Sequence, residues 1–195
     1  MVVERVLQAF LHRYAQAEAV AVAPFLIGAR VLDLGAGEGY VAEALRKRTG
    51  LWTCAVDVGS FRRACGPYVT YDGIRLPFGD AAFDTTLVLL VLHHCSKPET
   101  VLDEALRVTR CRLIVMESVY RTRGERFWLD WLDAWLNSYR HDGRMNILCS
   151  FRRPEEWQKL FDSRQLGAVE TRWLGSWLER LVHHPWLWVL EKGRL

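Results

Sequence analysis

The chain has 195 residues, of which half are hydrophobic, a quarter are charged and 12% are aromatic. This composition is typical of one folded domain with a substantial core, and it excludes a disordered or low-complexity chain. The longest clear uncharged run, Thr85 to Ser96, is shorter than the roughly 18 residues that a membrane-spanning helix needs.

Two further features indicate an intracellular protein. The first residues, Met-Val-Val-Glu-Arg, lack the basic start and the apolar stretch of a signal peptide. The five cysteines include no Cys-x-x-Cys pair, which is typical of reduced thiols in the cytoplasm. The sequence therefore predicts a soluble, cytoplasmic protein that forms a single domain over residues 1–195.

Positive charge is concentrated in one segment of the chain. Lysine and arginine together number 26 and the acids 23, which gives a net charge of +3. Residues 121–153 contain seven arginines and four acids, so this tryptophan-containing segment accounts for the whole excess. The asymmetry is too mild to establish nucleic-acid binding, and a nucleic-acid partner is not favoured.

The first two thirds of the chain alternate between predicted helices and strands. The helices span residues 3–22, 41–48 and 98–108, and the strands span residues 30–34, 51–56, 68–71, 83–92 and 112–116. The strands are continuous apolar runs without an alternation of polar and apolar residues. This pattern predicts a parallel sheet that is covered by helices on both faces.

The last third has a different character. A helix is predicted over residues 124–139, with Trp128, Trp131, Trp135 and Tyr139 on one stripe, and another begins at Pro154. We expect the tryptophan stripe to be at least partly packed, as in most amphipathic helices. Two last strands, at residues 168–173 and 186–190, are joined by only about a dozen residues, which favours antiparallel pairing.

Acids and glycines stand where the predicted strands end. Asp33, Asp57 and Asp72 each lie at the carboxyl end of a strand, and Gly35, Gly37 and Gly39 follow the first of them. Ligands of open parallel sheets bind at this edge, where glycines let the backbone approach closely. Asp57 lies 20 residues after Gly37, the spacing at which an acid accepts both ribose hydroxyls of an adenosine.

The charge of the loop discriminates between adenosine ligands. A dinucleotide pyrophosphate would lie beside Glu38 and near Asp33, and like charges a few ångströms apart in a cleft repel by kilocalories. S-adenosylmethionine carries a sulfonium and an ammonium and has no phosphate. The loop therefore favours S-adenosylmethionine as the cofactor, although its glycine spacing also fits a dinucleotide-binding pattern.

Five motifs in order resemble the small-molecule class I S-adenosylmethionine-dependent methyltransferases, in particular those of ubiquinone and menaquinone biosynthesis. The motifs are VLDLGAGEGY (31–40), AVD (55–57), YDGIRLPFGDAAFD (71–84), LVLHHC (90–95) and LDEALRV followed by RLIVMES (102–118). The resemblance implies a Rossmann-like α/β fold: a seven-stranded mixed sheet with the last strand antiparallel and helices on both faces. It also implies an N-terminal helix (1–24) over the cofactor site and a lid at about residues 120–155.

The same resemblance implies roles for particular residues. It places Asp33, Gly35, Gly37 and Gly39 around the methionyl part of the cofactor. It places Asp57 at the ribose, Asp72, Gly73 and Ile74 at the adenine, and Leu89 and Leu90 along the methionine moiety, and it includes Val58 among the cofactor contacts. The chain departs from the family in having leucines at 89 and 90, where contacts would come from the backbone. It also replaces the usual Lys-Pro-Gly-Gly turn before the fifth strand by residues 108–112.

Three histidines are candidate general bases. His93 and His94 follow the fourth strand, so we expect one ring to point into the cleft and the other into packing. His141, in the predicted lid beside Asp142, is the rival base. No metal site is predicted, because the adjacent histidines at 93–94 and 183–184 should point to opposite faces of a strand.

The expected function is transfer of a methyl group from S-adenosylmethionine to a small, aromatic or lipophilic molecule. The aromatics and arginines of the lid would select such an acceptor. The alternatives are an RNA methyltransferase that uses the basic lid, an NAD(P)-dependent reductase, and a non-catalytic module of the same fold. The acceptor atom and the oligomeric state do not follow from the sequence.

Overall fold

The computed structural model describes residues 2–140, 150–175 and 184–192. The helices are α1 (Val2–Val22), α2 (Tyr40–Thr49), α3 (Pro98–Val108), α4 (Arg123–Arg140) and α5 (Pro154–Asp162). The strands are β1 (Arg30–Leu34), β2 (Trp52–Asp57), β3 (Tyr68–Thr70), β4 (Phe83–Leu89), β5 (Thr109–Ser118), β6 (Leu166–Trp173) and β7 (Pro185–Lys192). Short 3-10 turns lie at Ala23–Phe25 and Leu92–His94.

The strands form one seven-stranded sheet in the order β3-β2-β1-β4-β5-β7-β6. Neighbours from β3 to β5 pair in parallel, whereas β7 is antiparallel to both β5 and β6. The predicted mixed sheet with its last strand antiparallel is therefore confirmed. The strand order reverses between β1 and β4, and in open sheets ligands bind at the carboxyl ends of the strands beside such a switch.

Each face of the sheet has its own hydrophobic core. On one face α3 and α5 pack through Leu102, Ala105, Trp157 and Phe161. On the other face α1 and α2 contribute Ala15, Ala19, Val22 and Leu45. The strands are apolar on both sides because both sides are covered, which confirms the predicted helices on the two faces.

Two strand boundaries differ from the prediction by three residues, and the others by two or fewer. The fourth strand ends at Leu89 and not at Leu92, because Leu90 adopts a left-handed φ of 59° and Leu92–His94 form a 3-10 turn. The fifth strand begins at Thr109, directly after α3, so residues 108–112 do not form a turn. The extended Thr109 still bonds through its N–H to the last carbonyls of α3, and it pairs with Phe83 of β4.

The tryptophan stripe of α4 is not the stripe that packs against the body of the protein. Leu129 is the buried residue of the described part of this helix, whereas Trp128 and Trp131 are more than half exposed. The side chains of Trp135 and Tyr139, and all of His141, lie outside the described residues. Across residues 2–140, 150–175 and 184–192, no helix is long and apolar enough to cross a membrane.

Candidate functional site

A cleft of about 130 Å³ lies at the carboxyl ends of β1 and β4, where the strand order reverses. It is enclosed by the loop between β1 and α2, by the end of β4 and by one face of α1. The residues that line it are Leu11, Tyr14, Ala15, Glu18, Asp33, Gly35, Ala36, Gly37, Glu38, Tyr40, Val41, Leu89 and Leu90. Five of these positions are cofactor contacts predicted from the sequence: Asp33, Gly35, Gly37, Leu89 and Leu90.

The glycine loop turns from β1 into α2 with its backbone facing the cleft. The N–H groups of Gly35 and Ala36 both donate to the carbonyl oxygen of Val56 in β2, at 2.8 and 3.1 Å. Gly35 has a φ of 74°, and a Cβ placed on it would collide with the side chain of Val91. Because an L side chain is unfavourable there on both counts, glycine is required at this position.

Asp57 ends β2 beside the glycine loop and is almost fully buried. Its Oδ2 accepts the N–H of Gly37 at 2.7 Å, and its Oδ1 accepts the N–H of Val58 at 2.7 Å. Burial raises the pKa of this carboxyl, and these backbone N–H groups oppose the rise. The N–H of Gly59 also bonds this carboxylate, which with about four acceptor sites in all can still accept from a ligand hydroxyl.

Negative groups dominate the cleft wall. Asp33, Glu38 and Glu18 line it, and no lysine or arginine does so among the lining residues. Asp33 is nearly inaccessible, and burial raises the pKa of its carboxyl to about 7, with the N–H of Ala42 opposing the rise and the charge of Asp57 adding to it. This electrostatic environment suits a cation and disfavours a phosphate.

Next to the cleft, the turn after β3 presents an open apolar surface. Asp72 accepts the N–H groups of Ile74 and Arg75 on one carboxylate oxygen, both at 2.8 Å, and these bonds lower the pKa of its carboxyl. The side chains of Ile74 and Val58 are 68% and 53% exposed, and Val58 lies against Gly73. Two exposed aliphatic side chains beside an acceptor carboxylate are chemically suited to a purine ring.

The turn after β4 is held by a residue that sequence analysis did not assign. Glu117, at the end of β5, is fully buried, and its Oε1 accepts the N–H groups of Val91 and Leu92 at 3.0 and 2.6 Å. Its Oε2 lies 2.5 Å from Nδ1 of His93. The carboxylate thereby fixes the backbone that follows Leu89 and Leu90, the two leucines of the cleft wall.

The two adjacent histidines have different surroundings. His93 is 2% exposed and packs between His94 and Phe151, with ring centroids 4.0 and 4.7 Å away. The rings of the two histidines therefore contact each other, and the expectation that they point to opposite faces is wrong. The reason is that a 3-10 turn replaces the end of the strand at this point. Only His94 of this pair is half-buried and partly accessible.

The tertiary structure brings further residues to the site that sequence analysis missed. Tyr14 and Glu18 reach the cleft from α1, where they lie four residues apart on one helix face. Glu117 could have been found by the rule that identified Asp33 and Asp57, because it too is an acid at the end of a strand. Among the described residues, no group of three potential metal ligands comes together.

The sequence comparisons identify one domain and a group of relatives. Residues 32–112 match the family model of a methyltransferase domain. Demethylmenaquinone methyltransferases of Mycobacterium bovis (strain BCG) and Mycobacterium tuberculosis (strain H37Rv) are 37% identical to the chain over 112 residues, which is 54% of this chain. The chain spans about half the length of these curated relatives, since the match covers 46% of each.

Solved structures of methyltransferases share the fold. Geranyl diphosphate methyltransferase with S-adenosylmethionine has a TM-score of 0.73 at 16% identity, covering 96% of this chain and 89% of that one. Magnesium protoporphyrin IX methyltransferase of Synechocystis PCC 6803 with S-adenosylhomocysteine has a TM-score of 0.68 at 15% identity, covering 99% and 88%. The predicted Rossmann-like class I methyltransferase fold is thus confirmed.

Proposed function

We propose that this protein, whose residues 32–112 match the family model of a methyltransferase domain, is a class I S-adenosylmethionine-dependent enzyme that methylates a small aromatic or lipophilic molecule. The observation that carries the proposal is the cleft at the strand-order switch. A glycine loop lies there beside Asp57, a strand-end carboxylate that accepts two backbone N–H groups. The residues that line the cleft include three carboxylates and no lysine or arginine. When bound, S-adenosylmethionine supplies an electrophilic methyl group on a positively charged sulfur.

Residues in and beside the cleft would each contact a different part of this cofactor. Asp57 would accept the ribose hydroxyls, and Val58, Gly73 and Ile74 would flank the adenine, with Asp72 accepting its amino group. Asp33, together with the backbone of Gly35, Gly37 and Gly39, would surround the charged methionyl end, where Leu89 and Leu90 exclude water. Favourable contacts with the positive groups would offset the cost of ionising the buried Asp33.

The two ends of the site would be closed by different parts of the chain. The face of α1 that carries Tyr14 and Glu18 already contributes to the cleft wall, which supports a covering role for residues 1–24. Residues from about 120 to 155 would close the acceptor side as a lid. Holding the acceptor at near-attack distance in such an enclosed site supplies much of the rate acceleration in reactions of this kind.

The acceptor class is supported by the relatives and by the histidines. The relatives with 37% identity are named as acting on demethylmenaquinone, a small-molecule acceptor. Such an acceptor loses a proton on methylation, and the accessible His94 is better placed to take it than the buried His93, whose Nδ1 faces Glu117. His141 would be the alternative base if the lid closes over the acceptor.

The proposal is tested in two steps. Titration calorimetry with S-adenosylmethionine, S-adenosylhomocysteine and NADPH should detect binding of the first two only. Incubation with deuterated S-adenosylmethionine and a panel of quinols, phenols and an RNA oligonucleotide should then give a labelled small molecule in mass spectrometry. Binding of NADPH alone would indicate a reductase, and labelling of RNA alone would overturn the proposed acceptor class.

A further inference from the structure

The described part of α4 exposes a compact aromatic surface. Phe127, Trp128 and Trp131 are 68%, 55% and 54% exposed. Phe127 and Trp131 each lie two residues, or about 200° of helical rotation, from the buried Leu129. The helix therefore presents aromatic rings on the side where an amphipathic helix of a globular protein normally carries polar residues.

The helix belongs to the proposed lid, but its aromatic face does not reach the cleft. None of its three rings lines the cleft. Nine large apolar side chains are exposed among the described residues, and three of them fall within these five consecutive positions. The rings of Phe127 and Trp131 each lie edge to face with the ring of Trp128. The centroid distances are 6.3 and 5.7 Å, and the interplanar angles are 74° and 90°.

Exposed arginines lie N-terminal to the aromatic residues or next to them in the chain, two of them over other rings, and the acids whose side chains are described there are engaged. Arg121, Arg123 and Arg126 are exposed at the start of α4. Glu125 accepts the N–H groups of Arg121 and Thr122, at 2.6 and 3.2 Å. The second acid, Asp130, lies 3.8 Å from Arg126. An aromatic surface bordered by exposed guanidinium groups is complementary to a partner that is apolar inside and anionic at its surface.

We propose that this face docks the protein on an anionic lipid bilayer. Tryptophan and phenylalanine are favoured at the boundary between headgroups and acyl chains, and arginines beside them bind anionic headgroups. A single-stranded RNA would instead need separated ring faces on which successive bases stack, whereas these rings meet edge to face. The docking does not depend on which molecule the cleft methylates or on whether it methylates one.

Vesicle flotation tests the proposal with the full chain. The vesicles contain phosphatidylcholine alone or with about one third phosphatidylglycerol. We expect binding to the mixed vesicles that weakens with added salt, and Trp128→Ser/Trp131→Ser to lose about tenfold or more of it. Arg123→Gln should lose about fivefold on mixed vesicles only. Val169→Ser removes an exposed apolar side chain elsewhere, on β6, and should bind as wild type does.

A second measurement does not depend on the serine variants. Brominated lipids quench tryptophans at membrane depth, so quenching should fall in Trp128→Phe/Trp131→Phe, which retains apolar rings. Wild-type protein that floats with neither vesicle, or serine and wild-type proteins that float equally, would overturn the proposal. Trp-dependent binding of an oligouridine without binding of vesicles would make the face a nucleic-acid surface. Cofactor titrations on the same preparations report separately on the proposed methyl-transfer site.

Discussion

The affinity for the cofactor should depend on whether the Asp33 carboxyl is ionised, and Asp33→Asn should remove this pH dependence. The carboxyl is almost inaccessible, and burial raises its pKa to about 7, with only the N–H of Ala42, at 3.1 Å from Oδ2, opposing the rise. At pH 6 about a tenth of the free protein carries an ionised Asp33, and at pH 8 about nine tenths does. If the cation binds the ionised form, affinity rises about tenfold over this interval and little beyond it.

The ionisation of Asp33 should have the opposite effect on stability: affinity rises with pH, whereas the free energy of unfolding falls. The ordinary pKa of an aspartate is 3.8, so between pH 4 and pH 7 the folded state binds more protons than the unfolded state. The free energy of unfolding of the cofactor-free protein therefore falls as the pH rises through this window, by up to about 4 kcal/mol. Asp33→Asn keeps an acceptor for Ala42 without the buried charge, and it should be more stable than wild type at pH 8.

Calorimetry and thermal melts between pH 5.5 and 8.5 measure both effects. Asp33→Asn should flatten the pH dependence of S-adenosylhomocysteine binding and raise the melting temperature without cofactor. Asp84→Asn is a matched control at the opposite end of the sheet, where the N–H groups of Ala29 and Arg30 lower the pKa of Asp84. It should lower stability at pH 8 and leave the binding profile unchanged. A binding constant that is flat between pH 6 and 8 in wild type would refute the coupling.

Three further predictions concern the neighbouring residues. Asp57→Ala should weaken S-adenosylhomocysteine binding by about 2–4 kcal/mol in calorimetry, because the ribose hydroxyls lose a charge-assisted acceptor. Gly35→Ala should lower both the melting temperature and the affinity, because its φ of 74° strains alanine and the new methyl group has no room. Once an acceptor is known, His94→Ala should reduce turnover about a hundredfold at unchanged cofactor affinity, with His93→Ala and His141→Ala compared in the same assay.

Circular dichroism melts establish that each of these variants is folded. Unchanged calorimetry of a folded Asp57→Ala protein would contradict the ribose assignment. A Gly35→Ala protein as stable as wild type would mean that the loop relaxes away from Val91. Turnover within a few-fold of wild type in all three histidine variants would leave proximity and orientation as the source of catalysis, without a histidine base.

Local patterns were sufficient to predict the sheet and the edge at which Asp33, Asp57 and the glycine loop meet. Buried strands leave continuous apolar runs, and antiparallel pairing of β6 with β7 followed from the short connection between them. The chain places Asp33, Asp57 and the glycines at the carboxyl ends of strands or directly after them. Because the strands are parallel, these ends lie at one edge of the sheet, and the residues meet there. The sign of the cleft's charge also followed from the sequence, because Glu38 and Asp33 are close along the chain.

Residues whose positions depend on distant segments were decided only by the tertiary structure. The ring of His93 is placed by Glu117, which lies 24 residues further along the chain. The carboxylate of Glu117 also bonds the turn that ends β4 early. Tyr14 and Glu18 join the cleft because α1 packs across the sheet face. The aromatic stripe of α4 faces outward because Leu129 takes the buried position. A helical period specifies that a stripe exists, but which stripe is buried depends on the free energy of packing against the rest of the fold.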